Sequence, residues 1–270
     1  MKEKKDMVTK GIIIGCLQKL GIRPDTNLIV HSSLKSFGYV DGGAETVVDA
    51  LMSVITQGTL ILPSFNHNKC YDEGELFDIR TTPTTNGAIP EAFRKRPGVI
   101  RSMNPTHAYA IYGKDAEAIA KRHEASDAMG KGSPLDYLYE HDGCVLLLGV
   151  GYTRNTFHHY VETMEKSPCL FARGEEYDVI DETGSVRRAR TWSWREHTCP
   201  IDDSAIYAPL IQPYDRRITI GSCEAIFFSM KDAYRVISAA LREGLDGNPG
   251  CSMCETRPRQ CEYTVPECRK

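Results

Sequence analysis

Long apolar runs are what this 270-residue sequence most plainly lacks. No stretch approaches the roughly 18–20 residues that a membrane-crossing helix needs. Residues 1–15 are basic and then briefly apolar, but Ile12, Ile13 and Ile14 are too few for a secretory signal's hydrophobic region, and no credible cleavage site follows. The expectation is a cytoplasmic protein without a membrane partner. Net positive charge is missing too: 33 Lys and Arg against 36 Asp and Glu leave a formal charge of -3, so no global field gathers nucleic acid by counterion release. The short basic clusters Lys2 to Lys5 and Arg187 to Arg190 read as solvated faces. A small polycation fits this balance, given a local acidic cleft. Three catalytic signatures are also absent. Without a Gly-x-Ser-x-Gly elbow a serine hydrolase has little support. Without the full Gly-x-x-x-x-Gly-Lys-Ser/Thr loop there is no phosphate-loop signature. Without His-Glu-x-x-His on a helix a catalytic zinc is poorly supported. Internal repeats and low-complexity tracts are lacking as well.

What is present is a chain long enough for one large α/β domain. Thr9 can cap a first helix whose apolar face uses Ile13, Cys16, Leu17 and Leu20, stopped by Gly21. Residues 27–31 predict a buried strand, residues 44–54 a helix, and Thr59 to Leu62 a second strand ended at Pro63. Residues 66–87 are polar and aperiodic, the mark of a functional loop. Then come a helix over 88–94, a weaker strand over 108–112 and a helix over 115–123. In Gly130-Lys131-Gly132-Ser133-Pro134, which only mimics the end of a phosphate loop, Ser133 can cap a helix that Pro134 begins. Cys144 to Gly149 is the clearest strand, apolar on both faces and therefore central. Residues 166–222 predict several short strands and loops, residues 224–242 the last helix, and 246–270 a cysteine-bearing tail. Helices alternating with buried strands predict a layered α/β sandwich with one domain over 1–245.

Four segments could carry chemistry. In Asn155-Thr156-Phe157-His158-His159-Tyr160-Val161-Glu162, either histidine lies at helical spacing from Glu162, and a carboxylate beside imidazole is what a general base needs. A satisfied core or cap histidine explains the same spacing, and spacing does not choose between His158 and His159. His31-Ser32-Ser33-Leu34-Lys35, at the carboxyl end of the first strand, suits either a polar-ligand cradle or a plain turn. Asn104-Pro105-Thr106-His107 is a loop before a strand. In the tail, Cys251-x2-Cys254 is followed irregularly by Cys261 and Cys268. Structural zinc, either within the tail or shared with His197 and Cys199, is one option there, and unliganded thiols are the other.

These segments together resemble the aminoglycoside 3-N-acetyltransferase family, the class distinct from the Gcn5-related acetyltransferases. The blocks that carry the resemblance occur in order: Val30-His31-Ser32-Ser33-Leu34, Gly42 through Leu51, Gly58 through Phe65, Asn104-Pro105-Thr106-His107, Gly132-Ser133-Pro134-Leu135, and Leu146 through Gly151 leading to His159 and Glu162. It spans roughly residues 7 to 245. It implies an α/β sandwich with a mixed central sheet and flanking helices, a channel for acetyl-CoA, and acceptor-cleft insertions at about 66–87 and 166–222.

The resemblance places the family's catalytic histidine on His159 and its glutamate on Glu162, leaving His158 where an ordinary helix residue usually stands. It puts His31, Ser32, Ser33, Leu34, Lys35, Thr106 and His107 along the CoA path, and Phe65, Asp72 and Glu73 beside the acceptor. The segment Trp194 to Cys199 resembles the apramycin-acetylating branch, which makes Glu196 a group to bind, orient or deprotonate the acceptor amine. That branch also has a late Cys-x2-Cys, which keeps His197, Cys199, Cys251 and Cys254 as the zinc set. The sequence departs from many members in having Asn104 where they have histidine, and in extending past the first cysteine pair. The implied partner is a cationic amine, with no nucleic acid, and the implied assembly is a monomer or homodimer. Acylation of another small amine and a silent ligand-binding relative are the alternatives.

Overall fold

The computed structural model describes residues 7–66, 76–126, 128–166, 173–193 and 204–243. In chain order these begin β1 (Met7–Val8), α1 (Lys10–Lys19), β2 (Leu28–Ser32), β3 (Tyr39–Val40), α2 (Gly43–Val54) and β4 (Leu60–Pro63). They continue with β5 (Phe77–Asp78), α3 (Ala88–Phe93), β6 (Ile100–Arg101), β7 (Tyr109–Tyr112), α4 (Ala116–His123) and α5 (Pro134–Glu140). The second half adds β8 (Cys144–Leu148), α6 (Phe157–Met164), β9 (Arg173–Ile180), β10 (Val186–Ser193), α7 (Ser204–Ile211), β11 (Arg216–Ile220), β12 (Cys223–Ser229) and α8 (Met230–Glu243).

Period-two alternation explains the layering. Strand β2 sends Leu28 and Val30 into one core and Ile29 into the other, and β8 divides Leu146 and Leu148 from Val145 and Leu147 in the same way. The first core is closed by α1, α2 and α3 through residues such as Leu17, Leu51 and Phe93. The second is closed by α4 to α8 through residues such as Ile119, Leu138, Phe157 and Ile237. Between the two layers runs a seven-stranded sheet in the order β11-β12-β8-β2-β4-β7-β6. Strands β8, β2 and β4 are parallel and the flanking pairs antiparallel, the mixed sandwich that was expected.

One assignment from the sequence needs correcting. Residues 224–242 are not one helix, because Cys223–Ser229 is strand β12, and α8 starts at Met230. The strand's two sides are both covered: Ala225 and Phe227 enter the first core, Ile226 and Phe228 the second. A strand buried on both faces shows no amphipathic stripe, so its apolar run merges with the helix that follows. The segment 166–222 also divides. Its last strand, β11, is an edge of the central sheet, while β9 and β10 form a second sheet with β5. Thus the described parts of 66–87 and 166–222 pair with one another, Phe77 and Asp78 running parallel to Val179 and Ile180 over a small core that includes Met103 and Ala189.

Gly130-Lys131-Gly132-Ser133 is structural. Ser133 Oγ accepts the Asp136 N–H at 3.3 Å and caps α5. The buried Asp136 carboxylate is held by Arg122, by Lys131, by the Gly132 N–H at 2.9 Å and by the Tyr160 hydroxyl at 2.9 Å. That last bond ties α6 to α5. After β8 the chain turns at Gly149, where φ is +66° and a Cβ would overlap Ser36 Oγ, so the turn into α6 requires glycine.

Candidate functional site

The α6 helix carries the densest set of titratable groups. Asn155 Oδ1 accepts the Phe157 N–H at 3.1 Å in the turn that leads into the helix. Just before it, Tyr152 bonds Asp215, which in turn pairs with Arg217 at 2.9 Å, and this fixes the entry turn. Phe157, Tyr160 and Val161 enter the second core. The adjoining side presents His158, His159 and Glu162. His159 Nδ1 lies 2.8 Å from Glu162 Oε2, and the other carboxylate oxygen, Oε1, accepts the Tyr207 hydroxyl of α7 at 2.9 Å. A buried carboxylate is stable only with such donors. With Nδ1–H donating to Glu162, the proton-accepting nitrogen of His159 is Nε2, and His158 Nε2 stands 3.1 Å from it. The His159 side chain is 12% exposed, reachable from the surface, whereas Glu162 is buried behind it.

These three residues bring two imidazole nitrogens and a carboxylate oxygen within 4.8 Å of one another. Metals use such donor sets, and the direct Nε2···Nε2 and Nδ1···Oε2 contacts are equally what proton transfer uses.

His31 reaches the same place from the end of β2. Its Nε2 is 3.4 Å from Thr156 Oγ1, the residue that precedes α6. Burial, and then the charge of His158, hold its pKa down to about 3, so His31 is neutral and serves as a hydrogen-bonding group rather than a base. Tyr109 of β7 lies beside Thr156, and burial pushes its hydroxyl's pKa upward, keeping it un-ionised.

A second group adjoins through Tyr109, whose ring meets Phe65 edge-on at 5.3 Å. Phe65 also meets His107 at 5.0 Å. Asn104 shapes this loop: its Oδ1 accepts the Thr106 N–H at 3.1 Å, the Thr106 hydroxyl at 3.2 Å and the His107 N–H at 2.8 Å. Thr106 Oγ1 is 2.9 Å from His107 Nδ1. The departure at Asn104 therefore builds a turn that orders the residues after it.

The structure thus brings His159, Glu162 and His31 together and sets Phe65, Thr106 and His107 next to them. In the Ser32–Lys35 segment, the Ser33 N–H is already bonded to Leu148 O at 2.9 Å, Leu34 packs on the first core and Lys35 is exposed. Buried Ser32 Oγ and Asn155 Nδ2 have no hydrogen-bond partner among the described residues, which suits a ligand that brings polar atoms. Asp72, Glu73, Glu196, His197, Cys199, Cys251 and Cys254 lie outside the described residues. One group was not found from sequence, and another was found by spacing and then set aside by the resemblance. Tyr207 sits 45 residues beyond Glu162 with no local signal. His158, given an ordinary helix role by the resemblance, is in contact with His159. Elsewhere, a cavity of about 600 Å³ is lined by Arg80, Arg94, Arg101, Glu117, Lys121 and Glu124. Several of its cations are already paired, Arg94 with Glu91 and Lys121 with Glu124.

A second buried histidine, His123, places Nδ1 2.9 Å from Ser102 Oγ and Nε2 3.2 Å from Ala128 O. Burial holds its pKa down to about 4, against the partial opposition of the Ala128 carbonyl. His31 and His123 both have folded pKa values below the unfolded value of about 6.5. The unfolded chain therefore takes up protons first as pH falls, and stability present above 6.5 is lost toward pH 4 and 3. Between pH 7 and 5 each histidine should account for about 2 kcal/mol. Urea midpoints at the two pH values check this, and His123→Asn should show a smaller drop than the parent chain. An equal drop would show that His123 is not one of the groups responsible.

Residues 29–242 match the family described as aminoglycoside 3-N-acetyltransferase. Aminoglycoside N(3)-acetyltransferase VII of Streptomyces paromomycinus is 28% identical, over 93% of this chain and 98% of that protein. The SPbeta prophage-derived aminoglycoside N(3')-acetyltransferase-like protein YokD of Bacillus subtilis is 36% identical over 57% of this chain and 64% of its own length. A solved complex of aminoglycoside acetyltransferase AAC(3)-IVa with a gentamicin superposes with a TM-score of 0.76 at 26% identity, covering 97% of this chain and 100% of that one.

Proposed function

We propose that this chain, which belongs to the aminoglycoside 3-N-acetyltransferase family, transfers an acetyl group from acetyl-CoA to the 3-amine of an aminoglycoside, with His159 as the base. The observation that carries this reading is the Tyr207–Glu162–His159 chain, which fixes the proton on His159 Nδ1 and leaves Nε2 as the accepting nitrogen.

The amine arrives as an ammonium and cannot attack until it loses a proton. His159 takes it, Glu162 stabilises the resulting imidazolium, and the freed nitrogen attacks the thioester carbonyl carbon. The developing oxyanion needs donors. Collapse breaks the C–S bond, and one proton returns to the thiolate. Holding both substrates together supplies the entropic part of the acceleration. Ser32 fits the donor through its buried Oγ, because the Ser33 amide is engaged, and the exposed Lys35 ammonium suits a phosphate. The family resemblance assigns Thr106 and His107 to the donor, and Phe65, Asp72, Glu73 and Glu196 to the acceptor. No helix of the described residues is long and apolar enough to cross a membrane, and dependence on acetyl-CoA accords with a cytoplasmic site of action.

The test is acetyl-CoA consumption across aminoglycosides that differ around the 3-amine, gentamicin and apramycin among them. Turnover with a product heavier by one acetyl group, lost when the 3-amine is blocked, is the expected result. Acetylation of other amines alone, by a preparation that binds CoA, would overturn the acceptor assignment.

A further inference from the structure

The helix that supplies the base also supplies a second imidazole. His158 is 3% exposed, and its ring centroid lies 4.0 Å from that of His159 at 69°. Consecutive helical side chains diverge by about 100°, so the 3.1 Å contact between the two Nε2 atoms means that both rings turn toward each other. We propose that His158 is a proton-sharing positioning residue, forming with His159 a two-imidazole acceptor for the proton released by acetyl transfer. This rests on the reading of His159 as the base.

The carboxylate beside His159 Nδ1 assigns that nitrogen its hydrogen, so His159 meets His158 through the lone pair of Nε2. Two imidazole nitrogens at this separation hold one proton between them. With His158 as its Nδ1–H tautomer, both Nε2 lone pairs face the gap in the neutral pair, and the proton of the amine enters there. In the cation that proton bridges the two Nε2 atoms, while His159 keeps its Nδ1–H on Glu162. The reaction creates the need for such a store. An alkylammonium loses two protons in becoming an amide N–H, and the departing thiolate takes one. One proton per turnover therefore remains with the enzyme until it reaches solvent. A single imidazole carries one at a time, whereas the bridged pair passes the first onward without breaking the His159–Glu162 bond.

Among the described residues, the groups that face the pair come from α6, α7, β2 and β7. Glu162 of α6 provides the facing negative charge, and Tyr207 of α7 donates to it while its ring lies 5.6 Å from that of His158. His31 of β2, kept neutral at about 3 by burial and by the charge of His158, does not compete for the proton. Tyr109 of β7, beyond Thr156, is un-ionised.

The first measurement is the pH titration of the ring nitrogens in the full chain labelled with ¹⁵N-histidine. The Nε2 resonances of His158 and His159 are expected to move through the same steps, as coupled sites do, and independent titration would overturn the proposal. The second is kinetic, with acetyl-CoA and apramycin or gentamicin. His158→Gln retains a hydrogen-bonding amide but binds no proton. It should lower kcat about tenfold near neutral pH and move the acid limb of kcat/KM about one unit lower, with both KM values within about twofold. An unshifted profile, with or without a raised KM, would mean that His158 only packs. His159→Gln run in parallel separates the two readings. If it stays active, the base assignment itself fails. If it is inactive while His158→Gln matches the parent in kcat and pH profile, only the present inference fails.

Discussion

Replacing His159 with glutamine is expected to lower kcat by roughly 10²–10⁴-fold, the usual contribution of a positioned base, while binding of CoA stays near normal. Glutamine approximates the ring's reach and can donate to Glu162 Oε2, the bond His159 Nδ1 makes at 2.8 Å. It cannot accept a proton from an ammonium at neutral pH. Residual turnover should rise with pH, because the fraction of acceptor already deprotonated rises and that fraction needs no base. Steady-state rates at saturating substrates from about pH 6 to 9, with CoA binding measured separately, check both statements. Near-normal kcat at neutral pH would remove His159 from proton transfer and leave it as a support for Glu162. A uniform loss across the pH range would point to misplacement of the substrates.

The route to His159 shows what the sequence carries and what it does not. Spacing at three and four residues brings both histidines within reach of Glu162 and stops there, because a helix repeat reports faces, not partners. Resemblance selected His159. The structure adds that His158 does not stand apart, since its Nε2 meets the nitrogen that the base must use. Tyr207 was beyond either approach: it sits on α7, in a stretch without a legible period, and its hydroxyl reaches Glu162 only because α7 packs on α8 beside the end of α6. Asn104 is the converse case. Read as a departure from the usual histidine, it proves to be a turn-former whose single oxygen gathers three donors from Thr106 and His107.

The fold was legible where one face of an element is wet and where a run is short and bounded. Helix α1 follows from Thr9, whose hydroxyl accepts the Ile12 N–H at 3.4 Å, and from Gly21 with φ at +91°. Strands β2, β4 and β8 follow from short apolar runs closed by Ser, Pro or Gly. Strand β12 does not, because Phe227 and Phe228 are buried on opposite faces and directly precede the apolar stripe of α8. Neither does the pairing of β5 with β9, which joins residues about a hundred positions apart and obeys sheet geometry that no local pattern encodes.

Asp136→Ala should cost about 2–4 kcal/mol of stability, and the origin of that cost can be located. Burial alone would raise this carboxyl's pKa, but the Gly132 N–H, the Tyr160 hydroxyl and Lys131 outweigh it and hold the group ionised. The two cations are not the expensive partners. The Arg122 side chain is 38% exposed and that of Lys131 64%, so water and Glu140 receive both when the carboxylate goes. Tyr160 is 1% exposed, and among the described residues its hydroxyl bonds Asp136 alone. Losing that acceptor strands a buried O–H, at about 1–3 kcal/mol, and the Gly132 N–H loses its acceptor as well. Asp136→Asn keeps an acceptor for Tyr160 and should retain about half of the lost stability, which a cavity-only explanation does not predict. Urea midpoints for the two variants at neutral pH decide between these accounts. If alanine and asparagine cost the same, the ion pairs rather than Tyr160 carry the energy, and α6 is held to α5 by packing instead of by this carboxylate.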